Sequence, residues 1–498
     1  MAQEAGPVSG GPESGWVARR GLALLTDLYE LTMIGGYHRH GMHERRACFE
    51  YFFRGLPPHT GYAVFAGLEP LLAALEGLRF GREDLDYLAG RGIFADGFLA
   101  YLEDWRPRVD VSSPPEGTVV FPYEPVVQLS GPLLDVQLVE TLLLNMLNYP
   151  TLVATKAARI CQAAEGDPVI EFGLRRAQGP DGGLSGARAA YVGGCVGSSN
   201  VLAGKHYGVP VSGTMAHSWV MSFPSELESF RAYVEAYPED PILLVDTYDT
   251  LKSGVPNAIR VFSEMRREGR GQRFAIRLDS GDLAKLSKDA WQMITEAGFE
   301  DPLIVASNEL EEDLIADLKR QGAKINAWGV GTHLITCRDH PALSGVYKLV
   351  AVEEDGEWKP RLKVTSNVAK TTDPAAKVVW RCKDSAGRPL ADVMALEGEE
   401  PAEDGTARGL DRESMTRPYN VDGVAETERL LRRMMECGRR TEPPEALERI
   451  RERAGRQVSG LFEELTRLRN PEIYRVLLAP GLAGLKRTMI EQARRREG

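Results

Sequence analysis

The chain has no cysteines at the spacing of a metal site or a disulfide framework. Its six cysteines, Cys48, Cys161, Cys195, Cys337, Cys382 and Cys437, are scattered along 498 residues without a CxxC pair. That pattern fits free thiols in a reducing compartment. No apolar run approaches the ~18 residues that a membrane-spanning helix needs. Positive charge is not in surplus: Lys and Arg number 60 against 71 Asp and Glu, a formal charge of −11. The balance argues against nucleic acid as a partner, while a local basic pocket for phosphates stays possible. Met1 to Trp16 lacks the basic start and apolar core of a signal peptide. It is polar, rich in Gly, Ser, Pro and Glu, and reads as a disordered tail. These absences predict a cytoplasmic protein, long enough for about three domains at ~150 residues each. What is present is an ordinary globular mixture, 43% hydrophobic and 26% charged.

Along the chain the rhythm changes once. Gly21 to Gly41 has helical spacing, with Leu24, Leu28, Leu31 and Ile34 on one side. Ala47 to Phe53 is strand-like, Gly67 to Leu78 is helical, and Arg82 to Tyr101 holds two more helices. Gly117 to Leu138 reads as a β meander. A long helix follows from Asp135 to Ala164, bent at Pro150. Then short apolar runs recur: Pro168–Phe172, Ala190–Gly194, Val209–Ser212, Ile242–Asp246, Phe274–Asp279, Leu303–Ser307 and Ile325–Gly331. Helical patterns at Glu226–Tyr237, Asp282–Ala297 and Glu309–Gln321 separate most of them. Such alternation implies a parallel sheet, either closed into a barrel or doubly wound, with functional groups at the carboxyl ends of its strands. Further on, Gly345–Val352 and Lys359–Ser366 suggest antiparallel strands, and acidic Asp384–Asp411 suggests an exposed loop. Glu426–Cys437, Pro444–Arg453 and Gly460–Arg469 read as amphipathic helices, and Arg487–Arg496 as a solvated basic helix face.

The polar residues at the strand ends form a set. Gly213-Thr214-Met215-Ala216-His217-Ser218-Trp219 places one imidazole among small and hydroxyl residues after a short strand. A lone histidine is most often a structural hydrogen-bonding residue, but an accessible one can act as base, ligand or nucleophile. Other strands end in Gly173-Leu174-Arg175-Arg176, Gly197-Ser198-Ser199-Asn200, Asp246-Thr247-Tyr248-Asp249, Arg277-Leu278-Asp279-Ser280-Gly281-Asp282, Ser307-Asn308 and Gly329-Val330-Gly331-Thr332. Arginine forks suit carboxylate or phosphate, and Gly-X-Gly-Thr lets backbone amides approach phosphate oxygens. Asp279 and Asp282 have the spacing to hold Mg²⁺ or sugar hydroxyls, although Asp282 also reads as a helix N-cap. Arg175-Arg176 reads equally as a surface pair. Together these residues describe a pocket for an anionic, phosphorylated sugar.

At this point the chain resembles the nicotinate phosphoribosyltransferases. The likeness is carried by Leu25-Thr26-Asp27-Leu28-Tyr29, Glu171-Phe172-Gly173-Leu174-Arg175-Arg176, Ser198-Ser199-Asn200-Val201-Leu202-Ala203-Gly204 and Gly213-Thr214-Met215-Ala216-His217-Ser218. It continues through Val245-Asp246-Thr247-Tyr248-Asp249, Arg277-Leu278-Asp279-Ser280-Gly281-Asp282, Gly329-Val330-Gly331-Thr332 and Gly345-Val346-Tyr347-Lys348-Leu349. The motifs run in unbroken order over about residues 22–380, and the region after Lys383 carries little of the pattern.

The resemblance implies an irregular α/β barrel of the type II phosphoribosyltransferase kind, an N-terminal α+β sandwich and a smaller C-terminal region. The expected divisions are a tail over 1–16, the sandwich over 17–137, the catalytic barrel over 138–344, and over 345–498 strands completing the sandwich plus a helical region. It implies transfer of phosphoribosyl from phosphoribosyl pyrophosphate to nicotinate, giving nicotinate mononucleotide and pyrophosphate as the first step of NAD salvage from nicotinate. The transfer is expected to be coupled to ATP hydrolysis, the enzyme being classed as a C–N ligase, with Mg²⁺ and ATP as co-substrate. His217 matches the phosphohistidine, with Asp246 and Asp279 as its catalytic companions. Tyr29, Phe172, Arg175, Thr214 and Arg277 are expected at nicotinate. Asp279, Ser307, Asn308, Gly329, Gly331 and Thr332 are expected at phosphoribosyl pyrophosphate, and no metal ligands are assigned. A homodimer is implied, with Tyr29 reaching across the interface. Ser218 departs from the Glu that short bacterial members often have there.

Two expectations concern roles. Asp246 is expected to orient His217 through a ring N–H, as in catalytic His–carboxylate pairs. By the same resemblance, related nicotinamide enzymes place an Asp in the turn matching Ser198-Ser199-Asn200; here that turn is neutral, with Arg277 and Thr214 available, which predicts nicotinate over nicotinamide, and a nicotinamide phosphoribosyltransferase is the alternative.

Overall fold

Short runs rich in Val, Ile, Leu and Ala, buried on both faces, form one parallel sheet, as expected of strands covered by helices. The computed structural model describes residues 21–270, 273–364 and 371–497. The expected N-terminal tail lies outside the described residues. Within them the chain forms two compact units, residues 21–152 with 342–497, and Val153–Pro341.

In the second unit the strands are β1 (Val169–Glu171), β2 (Gly197–Ser198), β3 (Leu243–Leu244), β4 (Ala275–Leu278), β5 (Leu303–Ala306) and β6 (Ala327–Val330). Their order is β2-β1-β6-β5-β4-β3, all pairs parallel. Val211 adds a parallel bridge beside Ser198 at the β2 edge, and the sheet is a nearly closed barrel.

The helices between these strands follow local chemistry. Asp282 caps Leu283–Glu296 by accepting the Lys285 N–H at 3.0 Å, which satisfies one otherwise orphaned donor. Glu311 caps Glu312–Arg320, and Lys319 and Arg320 sit in its last turn, where cations complement the helix dipole. Val255–Arg267 carries Pro in its first turn and buries Val255, Ala258, Val261, Phe262 and Met265 at helical spacing. Full burial of each of its Val, Phe and Met side chains contributes about 1.5–3 kcal/mol.

The first unit holds two large sheets and the short antiparallel pair Ala63–Val64 with Val119–Val120. One runs in the order Glu357–Pro360, Gly345–Glu354, Arg46–Phe53, Val127–Pro132, Asp110–Ser113, Arg432–Glu436, Arg439–Arg440. The other is built on Val378–Lys383, Pro389–Ala395, Thr406–Leu410, Glu426–Arg429 and Val476–Leu478.

Several local expectations are corrected. Ala190–Gly194 is not a strand: Ala190 and Val192 end the helix Gly179–Val192. Its Gly and Ala residues permit close packing, and a Cβ on Gly193 would lie 2.2 Å from the Ala154 carbonyl oxygen. Asp384–Asp411 is no exposed loop, because Pro389–Ala395 and Thr406–Leu410 are strands with buried apolar positions. The acidic residues that suggested a loop, Glu397, Glu399, Glu400 and Asp404, sit mostly between those strands. Glu426–Cys437 forms two strands rather than a helix, and only Glu463–Thr466 of Gly460–Arg469 is helical. The first helix begins at Leu28, leaving Asp27 at its N-cap position. The meander ends at Pro132 and passes into the helix Leu133–Leu138, and Pro150 lies inside the helix Glu140–Ala163.

Candidate active site

Arg277 is the hub of the carboxyl-end cluster in the second unit. It ends β4 next to last, so its side chain leaves the sheet beside the neighbouring strand ends. Its Nε donates to the Ser307 hydroxyl at 2.8 Å, one terminal nitrogen donates to Thr214 Oγ1 at 3.0 Å, and the other to Asp279 Oδ1 at 2.9 Å. Ser307, just past β5, also donates to Asp279. The guanidinium lies 5.6 Å from the centre of the Phe172 ring, within cation–π range. Thus Thr214, Arg277, Asp279, Ser307 and Phe172 are brought together from separate segments.

Phe172 follows β1, and its N–H donates to the Val330 carbonyl at 2.8 Å. Its ring lies against Gly329: a Cβ there would be 2.5 Å from Phe172 Cδ2. Glycine at 329 is therefore required by ring approach. Gly331 and Thr332 begin the single turn Thr332–Ile335. The Thr332 hydroxyl donates to Glu309 at 3.3 Å, and Arg338 also donates to that carboxylate, at 2.8 Å. Asn308 is exposed, with a left-handed φ of 83°.

His217 opens the short helix His217–Met221. Its Nδ1 lies 3.0 Å from Thr247 Oγ1, and its Nε2 lies 3.7 Å from Asp279 Oδ2. The ring is 39% exposed, open to a reacting group. This corrects the expected Asp246–His217 contact. Asp246 Oδ2 instead accepts the Asp279 N–H and the Ser280 hydroxyl, each at 2.7 Å. Asp246 follows β3 and points across to the end of β4, one strand away, while Thr247 takes the imidazole. Asp246 Oδ1 is buried without a hydrogen-bond partner among the described residues.

Two residues expected at the acceptor are not members of this hydrogen-bonded set. Arg175 is exposed on the turn Leu174–Arg176. Tyr29 is on the helix Leu28–Arg39 of the first unit, 48% exposed. Asp282 serves as the helix cap described above. Sequence reasoning assigned no role to Thr247, Ser280 or Glu171; each neighbours a residue that was singled out, and strand-end position was the signal available. Among the described residues no group of three His, Cys, Asp or Glu side chains is arranged to hold a metal by itself.

Comparison with known proteins gives a consistent result. Family models match in three stretches: the nicotinate phosphoribosyltransferase N-terminal domain over residues 24–148, the nicotinate phosphoribosyltransferase family over 168–394, and the corresponding C-terminal domain over 376–486. The chain is 48% identical over 383 residues to nicotinate phosphoribosyltransferase of Bacillus subtilis, covering 76% of this chain and 77% of that protein. It is 36% identical to the Homo sapiens protein of the same name, covering 95% and 97%. The crystal structure of human nicotinic acid phosphoribosyltransferase superposes with a TM-score of 0.81 at 35% identity, covering 94% of this chain and 100% of that one.

Proposed function

The chain belongs to the nicotinate phosphoribosyltransferase family, and we infer that it joins nicotinate to the ribose of phosphoribosyl pyrophosphate in NAD biosynthesis. One observation carries the assignment to this site: the Arg277 fork, tied to Thr214, Ser307 and Asp279, beside the Phe172 ring. A flat aromatic acid needs a ring to stack on and a cation or hydroxyl for its carboxylate, and this cluster offers all three.

The pyridine nitrogen attacks the anomeric carbon as the bond to pyrophosphate breaks, and the carbon becomes oxocarbenium-like. The protein's contribution is to align the two reactants and to present charge to the departing group. Phe172, Thr214 and Arg277 hold the acceptor; Asp279 takes ribose hydroxyls; Ser307, Asn308, Gly329, Gly331 and Thr332 take the phosphoribosyl side. The donor set fits Mg²⁺. Asp246 Oδ1 is a buried, unpaired carboxylate oxygen and Asp279 is its neighbour, and magnesium is commonly held by one or two carboxylates plus substrate phosphates. When bound, the ion supplies neutralisation of pyrophosphate charge.

ATP coupling belongs to the same reading. His217 accepts the γ-phosphoryl group of ATP: an N–P bond forms, the P–O bond to ADP breaks, and hydrolysis later returns the free ring. Its half-open ring, next to Asp279, supports this role. A homodimer with Tyr29 contributed across the interface is supported by the exposed apolar set Leu25, Leu28, Tyr29 and Met33. The test is incubation with γ-labelled ATP. An acid-labile, base-stable phosphate on the wild type, absent from His217→Ala, is expected. Label retained by that variant would contradict the assignment.

A further inference from the structure

Glu171 is fully buried at the last position of β1. Among the described residues no Lys or Arg is paired with it. Its Oε1 accepts the Gly173 N–H, and its Oε2 accepts the Ser198 hydroxyl at 2.5 Å. Its main-chain carbonyl accepts the Ser199 N–H at 2.9 Å. Ser198 Oγ in turn accepts the Asn200 N–H at 3.0 Å. One carboxylate therefore ties the turn after β1 to the end of β2, and Phe172 sits inside the tie. Burial pushes the Glu171 carboxyl up, and its two hydrogen bonds pull it back. A buried, cation-free carboxylate is costly to keep unless its bonds are used.

We propose that Glu171 is a positioning residue for the aromatic acceptor. It fixes the Phe172–Gly173 turn so that the ring stays between Gly329 and Arg277. It also draws the Ser198 hydroxyl proton inward, leaving Ser198 Oγ to accept the Asn200 N–H. The inference rests on the reading of Phe172 and Arg277 as the acceptor platform.

Steady-state kinetics of the full chain test it. Glu171→Gln keeps the volume but removes the charge: the Gly173 N–H and the Ser198 hydroxyl lose their ionised acceptor, and the hydroxyl must turn to accept from the new amide. Loss of a hydrogen bond to a charged group predicts a rise in KM for nicotinate of about tenfold or more. The KM for phosphoribosyl pyrophosphate and kcat stay within about twofold. Ser198→Ala, which removes only the hydroxyl, gives a smaller rise in the same direction. Both KM values rising together, or an unchanged nicotinate KM in both variants, overturns the proposal. Should Glu171→Gln not fold, Ser198→Ala decides alone, and an unchanged nicotinate KM overturns it. A wild type that makes no product from nicotinate defeats the functional reading instead, a separate outcome.

Discussion

Asp246 Oδ2 accepts the main-chain N–H of Asp279 and the Ser280 hydroxyl, each at 2.7 Å. The carboxylate thereby locks the end of β4, and with it the Asp279 side chain that faces both Arg277 and His217. Asp246→Asn retains one acceptor but turns a donor toward a group that already donates or toward the unpaired Oδ1 side. A hydrogen bond to a charged group is worth about 1.5–3 kcal/mol, so kcat/KM should fall roughly 10- to 100-fold with the fold retained. Kinetics with circular dichroism check this; unchanged kcat/KM would remove Asp246 from the site.

Gly329→Ala tests the ring contact. The added methyl would lie 2.5 Å from the Phe172 ring, so the ring must move off its seat. The expected result is a nicotinate KM raised about tenfold, an overpacking cost of about 1–3 kcal/mol. Titration of the variant with nicotinate, followed by initial rates, gives the answer directly.

Arg277→Lys keeps the charge and loses the fork. Three side chains depend on that fork, and an ammonium cannot satisfy them in one plane. The kcat/KM for nicotinate should drop by about 100-fold, on the scale of one bidentate charge-assisted contact. Nicotinamide, lacking the carboxylate, should lose less, so the ratio of the two acceptors narrows. An equal loss for both acceptors would argue that Arg277 serves only the donor.

Much of this site could be read from the sequence because each residue follows an apolar run with a clear end. Arg277, Asp279, Ser307 and Gly329 are at or just past strands whose hydrophobic runs are unmistakable. The direction of a side chain past the strand end was not legible. Asp246 and Thr247 are adjacent, and only the backbone path decides which one faces His217. The errors lie where charge pattern conflicts with burial. Glu426–Arg429 pairs with Val378–Lys383 at the edge of its sheet, and its alternating charges fit a helix face equally well by spacing. Pro389–Ala395 was hidden by acidic turns around it.

Glu30 provides a stability prediction in the first unit. It is fully buried, and Gln137 donates to both Glu30, at 2.7 Å, and Glu140, at 3.1 Å. Burial, with the Glu140 charge adding to it, raises the Glu30 carboxyl to about 7 from its ordinary 4.5. The folded state thus holds a proton that the unfolded chain releases near 4.5. Its stabilising contribution is full below that value and is lost as pH rises to about 7. Glu30→Gln removes this titration. Thermal melts should show the variant gaining on the wild type between about pH 5 and pH 8; a constant difference would mean that Glu30 does not titrate in that window.

The most direct measurement uses the purified full chain with phosphoribosyl pyrophosphate, Mg²⁺ and either nicotinate or nicotinamide, with the mononucleotide and pyrophosphate quantified. The account predicts equimolar nicotinate mononucleotide and pyrophosphate, and a kcat/KM for nicotinate about 100-fold or more above that for nicotinamide, the discrimination expected of a polar site matched to one acceptor. No nicotinate mononucleotide, or equal kcat/KM for the two acceptors, would contradict it.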